Sequence, residues 1–154
     1  MEAQQRYEVR AKSTRPRSGV VASDEIPFPI VFSAPPEFPG EARAWTPEHF
    51  FVAAVAACYV SSFSAMSDLS NFHFISLEVE AEGIVERDAS GRRFTEIRLC
   101  PALRIAHEED RERGARLLEK AEQGCLIARS ITAPVRLAPA VKLASEVALT
   151  EAAP

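Results

Sequence analysis

Thr46-Pro47-Glu48-His49-Phe50-Phe51-Val52-Ala53-Ala54-Val55-Ala56-Ala57-Cys58-Tyr59 is the stretch around which the rest of this chain can be arranged. Thr46 is a helix-capping residue, and Pro47 suits the first helical position, where an absent N–H costs nothing. Phe50 to Met66 carries no charge, and Ser70-Asn71 is a natural stop, so the sequence predicts one helix from Pro47 to about Leu69. Its apolar length approaches that of a membrane span. It is rich in Ala and Ser, however, and lies in a strongly polar chain, which predicts a helix buried in protein.

On the N-terminal side, residues 6–12 alternate in polarity and predict a first strand. Arg15-Pro16-Arg17-Ser18-Gly19 is turn chemistry, Val20 and Val21 open a second strand, and Ile26 to Phe32 form a third. Pro27 and Pro29 restrict that third segment to a sheet edge or a loose stretch. On the C-terminal side, residues 74–86 and 93–105 alternate as a strand pair around the turn Asp88-Ala89-Ser90-Gly91, with a bulge expected at Pro101. A second, amphipathic helix is predicted from Glu108 to Ile127 with Cys125 near its end, and a last strand from Val135 to Leu143. The order implies an α+β fold with a mostly antiparallel sheet, a single domain over 1–145 and a loose tail over 146–154.

The chain has 154 residues, is 47% hydrophobic and 26% charged, and has a net charge of −4. These values fit a globular domain with its own core. No basic patch dominates, so nucleic acid is not expected as a partner, nor is a membrane. The polar N-terminus shows no signal peptide, which makes the cytoplasm the default location. His49, His73 and His107 are scattered without ligand spacing, so no metal is expected. No glycine-rich loop supports phosphate binding, and no histidine has an obvious path to a cysteine for hydrolase chemistry.

Three cysteines do not make a disulfide scaffold, so the pair Cys58 and Cys125, each beside a small residue (Ala57, Gly124), points to redox chemistry. A reactive thiol needs a nearby donor or cation to hold it as thiolate. Taken alone, Cys58 in mid-helix among Ala, Val and Phe reads as a small core hydrophobe with a raised pKa. Cys125 has Arg129 one turn on, and Cys100, before Pro101, reads as packing.

Taken together, Thr46-Pro47-Glu48-His49-Phe50-Phe51 with Ala56-Ala57-Cys58, and Cys125-Leu126-Ile127-Ala128-Arg129-Ser130-Ile131, resemble the two cysteine motifs of the OsmC/Ohr family of osmotically inducible and organic hydroperoxide resistance proteins. The resemblance runs from about Tyr7 to Leu143. Leu126 after Cys125, where many members have proline, and Glu122 near a histidine position are closer to a less characterised Cys-Leu-Ile branch. The resemblance implies an OsmC-like fold with two long helices, the first buried, in an intertwined homodimer. It also implies a cysteine-based hydroperoxide reductase for oxidative-stress defence. In such an enzyme Cys58 becomes a sulfenic acid and Cys125 resolves it as a disulfide, with no resident cofactor. An external dithiol is the expected reductant, with a lipoyl-type dithiol as a candidate.

The family's early arginine falls on Arg17, with Arg15 as competitor. A guanidinium there would stabilise thiolate and orient a peroxide oxygen. The family's helix-opening glutamate is Glu48. Ten residues of helix are about 15 Å, so Glu48 and Cys58 cannot share a site within one subunit, and the implied dimer would build its sites at the interface. Phe50, Phe51, Phe63 and Met66, with Trp45 at the mouth, are candidates to hold an apolar substrate. The alternative reading is a non-catalytic OsmC-like module binding a small apolar ligand or a protein partner.

Overall fold

The structure, a computed structural model, describes residues 4–40 and 43–146. The chain forms two compact units, residues 1–51 and 52–154.

The first unit holds a three-stranded antiparallel sheet in the order β1 (Arg10–Arg15), β2 (Ser18–Ser23), β3 (Ile26–Ser33). The strand predicted at 6–12 therefore begins later and ends later. Its pairing with β2 opposes Arg10 with Ala22 and stops one residue short of Ser23, the last residue of β2. Pro27 and Pro29 lie on β3, an edge strand, where missing N–H groups break no ladder. The loop after β3 returns to it: Ser33 N–H donates to the Trp45 carbonyl at 2.8 Å, and Phe32 bridges to Trp45. This places Thr46 at the start of α1 (Pro47–Leu69), where the sequence predicts the helix to begin.

From Val52 onward α1 belongs to the second unit. It is apolar nearly all round and is long and apolar enough to cross a membrane by length and composition. Here its stripe Val55, Tyr59, Phe63, Ser67 is packed into the unit. The Tyr59 hydroxyl donates to the Leu118 carbonyl at 3.0 Å and so joins α1 to the second long helix. That helix, α2 (Arg111–Gly124), follows a 3₁₀ turn at Glu108–Asp110 and buries Gly114, Leu117, Leu118 and Ala121.

The second sheet is built on the hairpin β4 (Ser76–Asp88) and β5 (Gly91–Ile105). Asp88 closes the turn by accepting the Ser90 N–H at 2.8 Å. The bulge expected at Pro101 is not there: register runs unbroken from Ile97 to Arg104, and the shift occurs at Ile84/Val85 instead. Pro101 is fully buried on the inner face with Ile97, Leu99, Leu103 and Ile105. The single last strand also divides, into β6 (Val135–Leu137) and β7 (Ala140–Leu143), both parallel to β5. Pro139 lies in the gap between them and cannot donate to a ladder. The tail expected over 146–154 falls, from residue 147, outside the described residues. Glu146 itself accepts the Leu143 N–H at 2.8 Å and pairs with Arg111 at 3.1 Å. The fold is α+β, with mostly antiparallel sheets and two long helices.

Candidate functional site

The helix predicted through Ile127 breaks at Cys125. Gly124 is a weak helix former, and Cys125 is extended, with φ −69° and ψ 112°. A short new helix, α3 (Leu126–Arg129), starts immediately after it. Cys125 is therefore the cap of α3, and its sulfur accepts the Ala128 N–H at 3.5 Å. Gly124 also makes room for α1: a Cβ there would stand 2.6 Å from the Met66 terminal methyl.

This break turns unpaired backbone donors toward Cys58. Burial pushes the Cys58 thiol up, but four neighbouring donor groups outweigh it: the Ile127 N–H, the Cys125 thiol, the Ser62 hydroxyl and the Leu126 N–H, in that order. The net result is a thiol below its usual range, the reverse of the raised value expected from the apolar neighbours in the sequence. Cys58 is half-buried and neighbours Cys125 closely enough for each thiol to act on the other's titration.

Cys125 has the opposite character. It is fully buried, and burial pushes its thiol up; the Ala128 N–H pulls back, and the adjacent Cys58 pushes it up further. Its single S–H has two acceptors in reach, the Val55 carbonyl at 4.0 Å and the Cys58 sulfur. Two neighbouring thiols with values driven apart are suited to unequal roles, one as the ready anion and one as a reserve proton. Cys100 is not packed, as the sequence reading had it. It is exposed on β5 opposite Glu80, on the face away from Leu99 and Pro101.

Arg17 and Glu48 lie in the first unit. Arg17 occupies the hairpin turn after Pro16 with φ 60°, a left-handed conformation that costs most side chains about 1 kcal/mol or more. Its carbonyl accepts the Ala34 N–H at 2.8 Å, and its guanidinium lies over the Phe38 ring, 5.4 Å from the centroid. Arg17, Lys12, Phe32, Phe38 and Pro47 line a mainly apolar cavity of about 490 Å³ that Arg15 does not reach. Among the described residues no ion pair joins Arg17 to Glu48, and the buried Glu48 Oε2 has no hydrogen-bond partner. No group of three or more His, Cys, Asp or Glu suited to a metal occurs among the described residues.

The aromatic candidates divide in the same way. Trp45 stacks on Phe50 at 5.9 Å, and Phe50 meets Phe32 edge-on at 6.5 Å. Phe63, fully buried and edge-on to Phe74 at 5.2 Å, is core. The sequence reading missed Ser62, the amides of Leu126 and Ile127, and the capping role of His49. Ser62 was visible as the i+4 neighbour of Cys58. The amides were signalled only by Gly124, a residue that commonly ends helices.

The family model for OsmC-like proteins matches residues 40–139. The chain is 30% identical over 119 residues to the uncharacterized protein YmaD of Bacillus subtilis, covering 74% of this chain and 79% of that protein. In structure it is similar to an OsmC-like protein of unknown function from Vibrio cholerae, with TM-score 0.76, 19% identity, and 91% and 99% of the two chains covered. It is also similar to an organic hydroperoxide resistance protein OsmC from Legionella pneumophila, with TM-score 0.72, 20% identity, and 92% and 99% covered. The matched region holds both cysteines and all of α1, and with it the motifs on which the resemblance was first drawn. The chain belongs to the OsmC-like protein family.

Proposed function

We propose that this protein is a cytoplasmic, thiol-dependent peroxidase that reduces organic hydroperoxides. The observation that carries the reading is the Cys58–Cys125 pair, one sulfur lowered and half-buried, the other raised and fully buried. The Cys58 thiolate attacks the terminal peroxide oxygen. An S–O bond forms, the O–O bond breaks, and the sulfur loses two electrons to the peroxide. The departing alkoxide takes a proton, which the Cys125 S–H can supply, and leaves as the alcohol. The Cys125 thiolate then attacks the Cys58 sulfenic sulfur, forming the S–S bond and releasing water once its oxygen is protonated. An external dithiol, of lipoyl type in this reading, returns both thiols by exchange.

The working form is a homodimer with its sites at the subunit interface. Support comes from the residues α1 leaves uncovered in a single chain: Ala54, Ala57, Ser61 and Ala65 form an exposed strip of small side chains suited to close helix approach. The unpartnered Glu48 Oε2 also calls for a donor. Arg17 supplies the guanidinium that orients the peroxide. The alkyl body of the substrate lies against apolar walls such as those of the cavity beside Arg17, gaining about 0.8 kcal/mol per buried CH₂.

The test is turnover. Cys58→Ser abolishes hydroperoxide consumption, and Cys125→Ser allows one turnover and then accumulates over-oxidised Cys58. Residual activity equal to the parent protein in both variants contradicts the assignment. The second reading, a non-catalytic module that binds a small apolar ligand, has the 490 Å³ cavity in its favour. Apolar-ligand binding by a protein whose thiols ignore a moderate excess of peroxide decides for it.

A further inference from the structure

We propose that His49 is a positioning residue that makes the first turn of α1 acid-sensitive: its neutral ring closes the turn that carries Glu48, and protonation opens it. The Thr46 N–H donates to His49 Nδ1 at 3.2 Å, and the Thr46 hydroxyl lies 2.9 Å from the same nitrogen. In return the His49 N–H donates to Thr46 Oγ1 at 3.3 Å. The hydroxyl oxygen is thus already an acceptor and its proton is free for Nδ1. The ring nitrogen receives two donors, which assigns the neutral ring's proton to Nε2.

This is a reciprocal cap in which the third helical residue reaches back to the capping residue, a task usually done by Glu or Gln. An imidazole does it equally well when neutral. Once Nδ1 gains a proton it can no longer accept the Thr46 N–H. Thr46 is only 4% exposed, so the amide that loses the ring as partner is one held in a buried position. The positive end of the helix also opposes a cation at this position. Among the described residues of the first unit, the charged groups near the ring are Arg43, which lines a small cavity together with Thr46 and His49 and opposes imidazolium, and Glu48, the residue before it on the helix. Trp45 meets the ring edge-on at 6.0 Å and carries no charge.

The consequence falls on Glu48, whose Oε2 is buried and unpartnered. Glu48 stands between the two capping partners in the chain, so opening the turn displaces the backbone that carries it. The functional part of the inference rests on the peroxidase reading above, in which Glu48 belongs to the redox site; the cap itself does not.

The experiment uses the reduced full chain and His49→Gln, which keeps an acceptor at this position but does not titrate. Amide-exchange protection at Thr46 and His49 is measured on both sides of the imidazole titration range. Acidification lowers protection in the parent by about tenfold, the scale of one buried capping bond, and leaves the variant unchanged. Equal protection at both ends in the parent, or an equal loss in the variant, overturns the cap. Hydroperoxide consumption is followed over the same range. The parent falls relative to the variant by a similar factor if His49 positions Glu48, and superimposable profiles overturn that link. If no protein consumes peroxide, the redox reading fails, and amide exchange alone then decides whether the cap is acid-sensitive.

Discussion

Leu126→Pro isolates the backbone contribution to Cys58. Proline at the first position of α3 removes one N–H and little else. The preceding residue, Cys125, already has φ −69° and ψ 112°, the extended conformation that proline demands of its neighbour. Leu126 is 65% exposed, so losing its side chain empties no core. The N–H removed is the last-ranked of the four groups that lower the Cys58 thiol. A hydrogen bond of this kind contributes about 1 kcal/mol, which corresponds to about fivefold less thiolate below the titration midpoint. The assay is the pH profile of Cys58 alkylation by iodoacetamide, with Cys100 and Cys125 replaced by Ser so that one sulfur reacts. The profile moves to higher pH, the rate near neutrality falls about fivefold, and the alkaline plateau is unchanged. Ser62→Ala, which removes a higher-ranked donor, moves it at least as far. An unmoved profile, or one displaced to lower pH in Leu126→Pro, refutes the claim that the α3 amides hold this thiolate.

Three further outcomes are expected. Arg17→Ala slows hydroperoxide attack far more than Arg15→Ala in steady-state consumption, because only Arg17 faces the cavity; the reverse ranking reassigns the role. Tyr59→Phe removes the hydroxyl that joins α1 to the Leu118 carbonyl and lowers stability by about 1 kcal/mol, read as a thermal midpoint a few degrees lower. In Cys125→Ser protein, where the Leu126 and Ile127 amides and the Ser62 hydroxyl still face Cys58 and the serine hydroxyl stands in for the lost thiol donor, stability rises with pH up to the ordinary thiol value of about 8.5, because the folded state releases its proton first. That gain is lost as pH falls through the folded value, and additionally replacing Cys58 by Ser abolishes the rise in denaturant titrations.

Much of the fold was legible because local signals agreed. Thr46-Pro47 and Ser70-Asn71 bracket α1 to the residue, and the alternation of 74–86 and 93–105 located the long hairpin. What failed depended on partners distant in sequence. The bulge falls at Ile84/Val85 although proline stands at position 101, because Pro101 packs into the core without disturbing register. The cysteine pair was legible as a motif, but its chemistry was not. Apolar neighbours in sequence suggested an inert Cys58, whereas the groups that lower its thiol come mostly from α3 and Cys125, more than sixty residues on. A helix break is poorly encoded when only one glycine marks it.

The central claim is that Cys58 and Cys125 act as one redox unit. The most direct measurement treats the reduced protein with stoichiometric alkyl hydroperoxide, counts free thiols and maps any bridge by peptide mass. The account predicts that two of the three thiols disappear into a Cys58–Cys125 disulfide while Cys100 stays free. Three intact thiols, or a bridge that includes Cys100, contradicts it.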